Sequence, residues 1–328
     1  MNSERIILAG GSGFLGRALA AHFEKAHREV VILTRNPKPA GDSIQEVLWD
    51  GRTLGPWNQE LEGSRAVINL SGKSVNCRYT LGNRSEILQS RVNSTRVIGE
   101  AISGCQSPPR VWLNASTATI YKHTLDQPMD ESGEIRATAE AKDEFSLEVA
   151  NAWEEALGEA RTPQTRKVPL RMTMVLGLGE NSVFPVLRRL ARWGLGGRMG
   201  SGNQFVSWIH QVDFCRAVDW VIERADFSGP VNIAAPNPVT NAEMMRTLRD
   251  ECGVSLGLPA SRWMLEIGAF FLRTETELII KSRNVVPGRL LESGFQFQFP
   301  SIHAAFQALC ARRHEPLEIK RSVNECGC

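Results

Sequence analysis

Between Ile6 and Gly16 the chain reads IILAGGSGFLG: an apolar run passes into a loop of glycines, and the loop opens a segment of helical periodicity. Strand, glycine-rich turn and helix in that order leave few folds open. The glycines satisfy two overlapping spacings, Gly11-x-Gly13-x-x-Gly16 and Gly10-x-x-Gly13-x-x-Gly16. A loop without side chains lets backbone N–H groups and the positive end of the following helix approach a pyrophosphate. The position between a strand and a helix near the N-terminus is the context that makes such a motif informative. It predicts a dinucleotide site lined by Gly10, Ser12, Gly13, Phe14, Leu15 and Gly16.

The alternation continues through the first half. Val30–Leu33, Ala66–Leu70, Val111–Asn114 and Val168–Val175 read as strands, and helices fit residues 14–26, 85–102 and 142–160. Strands that are apolar throughout must be covered on both faces, which predicts a doubly wound parallel sheet. After Gly177 the texture changes, with glycines crowding between Gly194 and Gly202 and prolines recurring at 236, 238, 259, 287 and 300. The expected class is therefore α/β. A Rossmann domain spans 1–177, and 212–235 returns to it through a strand near Pro230–Ala235. Residues 178–211 and 236–312 form a smaller, interleaved substrate domain, and 313–328 a disordered tail.

The end of the second strand discriminates between cofactors. A carboxylate there binds the adenosine ribose hydroxyls of NAD, whereas this chain has Thr34-Arg35. A guanidinium forks onto phosphate through two charge-assisted bonds, and the missing acid removes the repulsion that would reject a 2′-phosphate. Charged hydrogen bonds worth roughly 1.5–3 kcal/mol imply a preference for NADP(H) of about ten- to a hundredfold.

Charge and cysteine content exclude other classes. The 38 basic and 36 acidic residues nearly cancel, and no basic run is interleaved with aromatics, so nucleic acid is not an expected partner. Seven cysteines lie scattered without metal-ligand spacing, which predicts reduced thiols, a cytoplasmic location and no bound metal. The Cys326-Gly327-Cys328 end reads as part of an inert tail. The N-terminus has no signal pattern, and the apolar stretch Trp263–Ile280 is broken by Glu266, Arg273, Glu275 and Glu277, too charged to span a bilayer.

Further motifs narrow the reading: LTRNP (33–37), VINLSG (67–72), SRVNSTRVI (90–98), VPLRMTMVLG (168–177), GLGGRMGSGNQFVSWIHQVDF (194–214) and VVPGRLLESGFQFQFP (285–300). With the glycine loop, they resemble the extended short-chain dehydrogenase/reductase superfamily, and within it the atypical NAD-dependent epimerase branch of YfcH-like proteins with a DUF1731-type C-terminal region. The resemblance covers about residues 5–310. It implies that Thr34 and Arg35 hold the adenosine phosphate. Leu70 and Ser71 would lie beside adenine and ribose, Glu86 and Arg91 on a helix edging the cofactor, and Val175 near the nicotinamide end. It also implies that Trp208 and His210 face the substrate. From sequence alone, Asp213 is a candidate N-cap for the helix after it.

Catalytic members of the superfamily use Tyr-x-x-x-Lys. Here the only tyrosines are Tyr79 and Tyr121, followed four residues on by Asn83 and Leu125. With Glu154 as anchor, the tyrosine position becomes Ser146 and the lysine position Ala150. What remains is NASTATIY (114–121), which resembles the superfamily's hydroxyl-bearing segment at the end of a central strand. It makes Ser116, Thr117 and Tyr121 the catalytic candidates. Two functions stay open: an NADP(H)-dependent oxidoreductase or epimerase on a small carbonyl or sugar-type substrate, and an NADP(H)-binding redox sensor or scaffold, linked to cell division, that does not turn the cofactor over. Either is expected as a monomer or homodimer.

Overall fold

The computed structural model describes residues 4–39, 44–261 and 277–311. Its frame is a seven-stranded parallel sheet in the order β10-β6-β5-β4-β1-β2-β3. The strands are β1 (Ile6–Ala9), β2 (Val30–Thr34), β3 (Ile44–Leu48), β4 (Ala66–Asn69), β5 (Val111–Thr117), β6 (Arg166–Met172) and β10 (Val231–Ile233). Alternate residues of one strand serve the two faces. Ile6 and Leu8 point into a core with Leu19 and Phe23 of α1 (Phe14–Lys25) and Phe214 and Val218 of α5 (Gln211–Glu223). Ile7 and Ala9 pack instead with Ile98 and Ile102 of α2 (Leu81–Ser103) and Leu157 of α3 (Glu144–Glu159). Helices on both faces explain why the strands carry no polar alternation.

Three local features depart from the sequence expectations. Strand β3 was not foreseen: at the sheet edge only one side is paired, and IQEVL is half-exposed and mixed in polarity. The expected strand Val168–Val175 is two strands. At Thr173 the backbone N–H and the Oγ1 hydroxyl both donate to the Ile233 carbonyl, at 3.2 and 2.9 Å. The chain then leaves the main sheet as β7 (Met174–Leu176) to pair with β9 (Trp208–His210), while the short β8 (Phe205–Val206) pairs antiparallel with β11 (Val239–Thr240). Thirdly, α5 is capped by His210, whose Nδ1 accepts the Val212 N–H at 3.1 Å, and not by Asp213. Asp213 lies inside the first turn and accepts from Arg216 Nη1 and from the Gln298 and Phe299 N–H groups at 2.8–2.9 Å. It fastens a distant segment.

Beyond β7 a second core gathers Phe184 and Leu187 of α4 (Val183–Arg192), Trp208, Met244, Met245 and Leu248 of α6 (Asn241–Glu251), and Phe306 of the helix Ile302–Ala311. The 313–328 tail, with Cys326-Gly327-Cys328, and most of Trp263–Ile280 lie outside the described residues. Among the described residues no helix is long and apolar enough to cross a membrane.

Candidate functional site

The glycine loop is shaped by contact on one side and openness on the other. Gly10 adopts φ +71°, and a Cβ there would lie 2.6 Å from Ser71 Oγ. A Cβ on Gly16 would sit 2.3 Å from the Gly11 backbone, so α1 can approach β1 only without it. Nothing lies within 4 Å of the Cβ position of Gly13. Gly13 is also the N-cap of α1, with no side-chain cap bond and no acidic residue in the first turn. The helix therefore presents its N–H groups and positive end to open space. Ser71 Oγ, beside Gly10, is buried without a hydrogen-bond partner among the described residues. Uncapped donors, an orphaned hydroxyl and room where side chains are missing fit a dinucleotide pyrophosphate.

Two adjoining cavities, of about 580 and 550 Å³, share the wall formed by Gly10, Gly13, Leu70 and Ser71. The smaller adds Ser12, Thr34, Arg35, Asp50, Arg52 and Glu86. Arg52 belongs to a turn in which Asp50 accepts from the Arg52 and Thr53 N–H groups and the Thr53 hydroxyl, at 2.7–2.9 Å. Those bonds, the Thr53 N–H foremost, hold the Asp50 carboxyl below its ordinary range. Among the described residues neither Arg35 nor Arg52 has a carboxylate in ion-pair contact, so both guanidinium groups can meet an anion. Glu86 is held below the usual carboxylate range by its hydrogen bond with Lys73.

The larger cavity is lined by Phe14, Leu15, Gly16, Arg91, Ser116, Thr117 and Val175, together with Tyr79, Ser146 and Trp153. Arg91 is a half-buried cation facing it. Nη1 donates to the Lys73 and Ile87 carbonyls at 3.0 and 2.9 Å, and the guanidinium carbon lies 5.0 Å from the Trp153 ring centroid. Burial pushes its pKa down to about 10, and no carboxylate pairs with it among the described residues. An anion in the cleft would supply the missing counter-charge.

The two hydroxyls at the end of β5 have opposite roles. Ser116 Oγ donates to Glu154 Oε1 at 2.6 Å, since a carboxylate only accepts. Glu154 is itself fixed by a bidentate pair from Arg171, Nε at 2.9 Å and Nη2 at 2.8 Å. Ser116 therefore offers lone pairs to the cleft. Thr117 Oγ1 accepts the Thr119 N–H at 3.1 Å, which leaves its own proton free to donate.

Three expectations are corrected. Tyr121 does not line the cleft: the turn Ala118–Ile120 carries it beneath the sheet end, 1% exposed. Its hydroxyl donates to Asn232 Oδ1 at 2.9 Å and accepts from Arg171 Nη1 at 2.8 Å, and burial raises its pKa. The tyrosine in the cleft is Tyr79. Trp208 and His210 do not line either cavity. Trp208 is buried in the second core with Nε1 bonded to the Asn237 carbonyl at 3.1 Å. His210 caps α5 and stacks on Phe299, with ring centroids 3.9 Å apart. Pairing with β7 turns β9 into core. Sequence reasoning missed Arg52, Tyr79 and Glu154 as site residues. Arg52 follows the unforeseen strand β3, and Glu154 served there only as an alignment anchor. Among the described residues no cluster of His, Cys, Asp or Glu is arranged to hold a metal.

A doubly wound parallel sheet whose first crossover opens on an uncapped glycine-rich helix end defines an NAD(P)-binding protein of the extended short-chain dehydrogenase/reductase type. The chain belongs to the NAD dependent epimerase/dehydratase family, whose model matches residues 6–234. Residues 260–309 match a domain of unknown function, DUF1731. The chain is 30% identical to the epimerase family protein YfhF of Bacillus subtilis over 311 residues, 94% of this chain and 98% of that one. It is 29% identical to human epimerase family protein SDR39U1 over 312 residues, covering 94% and 100% of the two chains. The crystal structure of human SDR39U1 with NADPH superimposes with a TM-score of 0.81 at 27% identity, covering 94% of this chain and 99% of that chain. A nucleoside-diphosphate sugar epimerase from Corynebacterium glutamicum gives 0.74 at 26% identity, covering 94% of this chain and 58% of its own.

Proposed function

We propose that the protein binds NADP(H) and works as an oxidoreductase or epimerase on a small carbonyl or sugar-type substrate. The observation that carries the cofactor choice is the smaller cavity, where Thr34, Arg35 and Arg52 stand together at the ends of β2 and β3. The two guanidinium groups fit a 2′-phosphate, and the carboxylates lining that cavity are already engaged, Asp50 by three donors and Glu86 by Lys73. That the human relative was crystallised with NADPH supports the same choice. Arg91, Ser71 and the N–H groups of α1 fit the pyrophosphate and ribose.

Bound NADP(H) would supply or accept the hydride. Thr117 donates a hydrogen bond to a substrate carbonyl oxygen and so favours negative charge there. Ser116 accepts from a neighbouring substrate hydroxyl, held in that role by Glu154 and Arg171. Phe145, Val149 and Trp153 form an apolar wall that limits water.

A thermal-shift comparison tests the cofactor assignment: NADPH raises the melting temperature more than NADH, and Arg35→Asp removes the difference. Equal stabilisation of the unmutated protein by both would overturn it. Reduction of a panel of aromatic aldehydes, diketones and keto sugar nucleotides, followed through NADPH absorbance, tests the reaction. One observation favours a second reading, binding without turnover: Ala150, at the position of the family's lysine, is fully buried. Tight NADPH binding with no turnover across the panel would select that reading.

A further inference from the structure

Away from the cleft, the far end of α4 carries an exposed apolar surface set among arginines. Trp193, the C-cap residue of α4, is 67% exposed, and Leu195, Leu256 and Leu258 are 46, 60 and 52% exposed. Single exposed apolar side chains are ordinary, but these four are built into one place. Two loops are laced together there: the Leu258 N–H donates to the Gly194 carbonyl at 2.8 Å, and the Gly197 N–H to the Leu258 carbonyl at 3.2 Å. Arg249 Nη1, from α6, donates to the Gly196 carbonyl. A Cβ on Gly197 would meet the Leu258 backbone at 2.4 Å, and the Cβ position of Gly194 lies 3.5 Å from Leu256 Cδ2. Backbones this close leave the leucine side chains outside. Val186 and Arg189, both exposed, continue the surface along α4, since steps of three and four residues to Trp193 share one helix face.

The surface is also cationic. No Asp or Glu occurs between Glu180 and Asp213, a stretch that holds Arg188, Arg189, Arg192 and Arg198, and none occurs between Glu251 and Ser261. Arg189 and Arg192 are exposed, and neither has a carboxylate in ion-pair contact among the described residues. The Arg189 guanidinium carbon lies 5.6 Å from the Trp193 ring centroid, which keeps cation and indole together. Apolar side chains interleaved with arginines match a hydrocarbon layer covered by phosphate. Tryptophan settles at that boundary, leucine enters the hydrocarbon, and guanidinium groups fork onto phosphate oxygens. A second copy of the chain fits less well, because a two-fold contact would set these arginines against themselves with no acid between.

We propose that this surface docks on membranes bearing anionic phospholipids, with Trp193, Leu195, Leu256 and Leu258 at the headgroup boundary and Arg189 and Arg192 on lipid phosphates. The contact is peripheral and uses no spanning segment. Helix α4 begins beside the cleft, where Ser182 and Val183 line the larger cavity, and its 10 residues put Trp193 about 15 Å further on. Docking therefore leaves the cofactor site open, and the proposal stands whether or not the cofactor is turned over.

The test is flotation of the full chain with vesicles of phosphatidylcholine alone and of equal parts phosphatidylcholine and phosphatidylglycerol. Binding to the mixed vesicles is expected to exceed binding to phosphatidylcholine about tenfold and to weaken as salt rises. Leu256→Ser with Leu258→Ser, and separately Arg189→Gln with Arg192→Gln, are each expected to lower it about tenfold. Far-ultraviolet circular dichroism and the melting temperature should match the unmutated protein, which shows that both variants fold. Brominated acyl chains should quench tryptophan emission, and less so in Trp193→Phe, if that ring enters the boundary. Absence of binding to the mixed vesicles overturns the proposal. So does binding that the leucine variant leaves intact, because that would be adsorption by charge alone. Self-association in sedimentation velocity that the leucine variant abolishes, without vesicle binding, would assign the surface to a second copy instead. Should the leucine pair fail to fold, Trp193→Phe and the arginine pair carry the test.

Discussion

Arg91 shows how a single side chain can carry a cost that only a ligand relieves. A half-buried guanidinium held by two carbonyls and an aromatic face, with no carboxylate partner among the described residues, favours association with an anion. Arg91→Met should weaken NADPH binding at least tenfold, measured by titration calorimetry, while the melting temperature of the ligand-free protein stays level or rises. A fall in both would mean that Arg91 is chiefly structural. Glu154 is the opposite case, because Arg171 depends on it. Glu154→Ala leaves a 5%-exposed guanidinium unpaired and should cost about 3–5 kcal/mol, read from the urea midpoint. The residues whose place at the clefts was legible in the sequence were those fixed by backbone geometry or by spacing, such as Gly10, Gly13, Gly16 and Arg35. Tyr121, Trp208 and His210 were misplaced because an aromatic or imidazole ring reads the same in a sequence whether it faces a cleft or fills a core. Only the pairing of β7 with β9 and the turn Ala118–Ile120 decide between the two.

At the level of elements, the apolar strands and their helices were legible because each strand is covered on both faces. An edge strand has no such signature, and β3 passed unnoticed, along with the arginine that follows it. Helix α2 begins at Leu81, earlier than expected, because Thr80 accepts the Asn83 N–H at 3.3 Å and starts the helix before its apolar face begins. Helices α1 and α5 are joined by charge as well as by packing. Asp219 on α5 accepts from His22 Nε2 at 3.1 Å and Arg28 Nη1 at 2.8 Å. Burial alone would raise the Asp219 pKa, but His22 and Arg28 outweigh it and hold it below its ordinary value. A carboxyl depressed in the folded state stabilises fully above its unfolded pKa, and that contribution is lost as pH falls through the folded one. Urea midpoints should therefore drop with acidification below about pH 4, and Asp219→Asn should flatten that slope. An unchanged slope would place the acid sensitivity elsewhere.

For the molecule as a whole, the second core is stitched to the first by long-range bonds. Ser207 Oγ donates to the Arg283 and Val285 carbonyls and accepts the Val285 N–H, at 2.7–3.0 Å. Asp213 ties α5 to Gln298 and Phe299, and Lys281 reaches Asp143 at the start of α3. Such stitching predicts one cooperative unfolding transition in scanning calorimetry, shifted upward as a unit by NADPH. Two separable transitions, only one of them responsive to the cofactor, would show that the regions melt independently. No local pattern announced these bonds, since their partners stand roughly 75 to 140 residues apart in the chain.

The joint at Thr173 also bears on how a gene of this kind can change. One residue separates the strand that belongs to the main sheet from the strand that leaves it, and both of its donors are committed to Ile233. Inserting a single codon there would shift β7 by one position, turning Val175 from the cleft and exchanging the faces of Met174 and Leu176. Descendants of this sequence can vary the letters at that point, but they inherit its length.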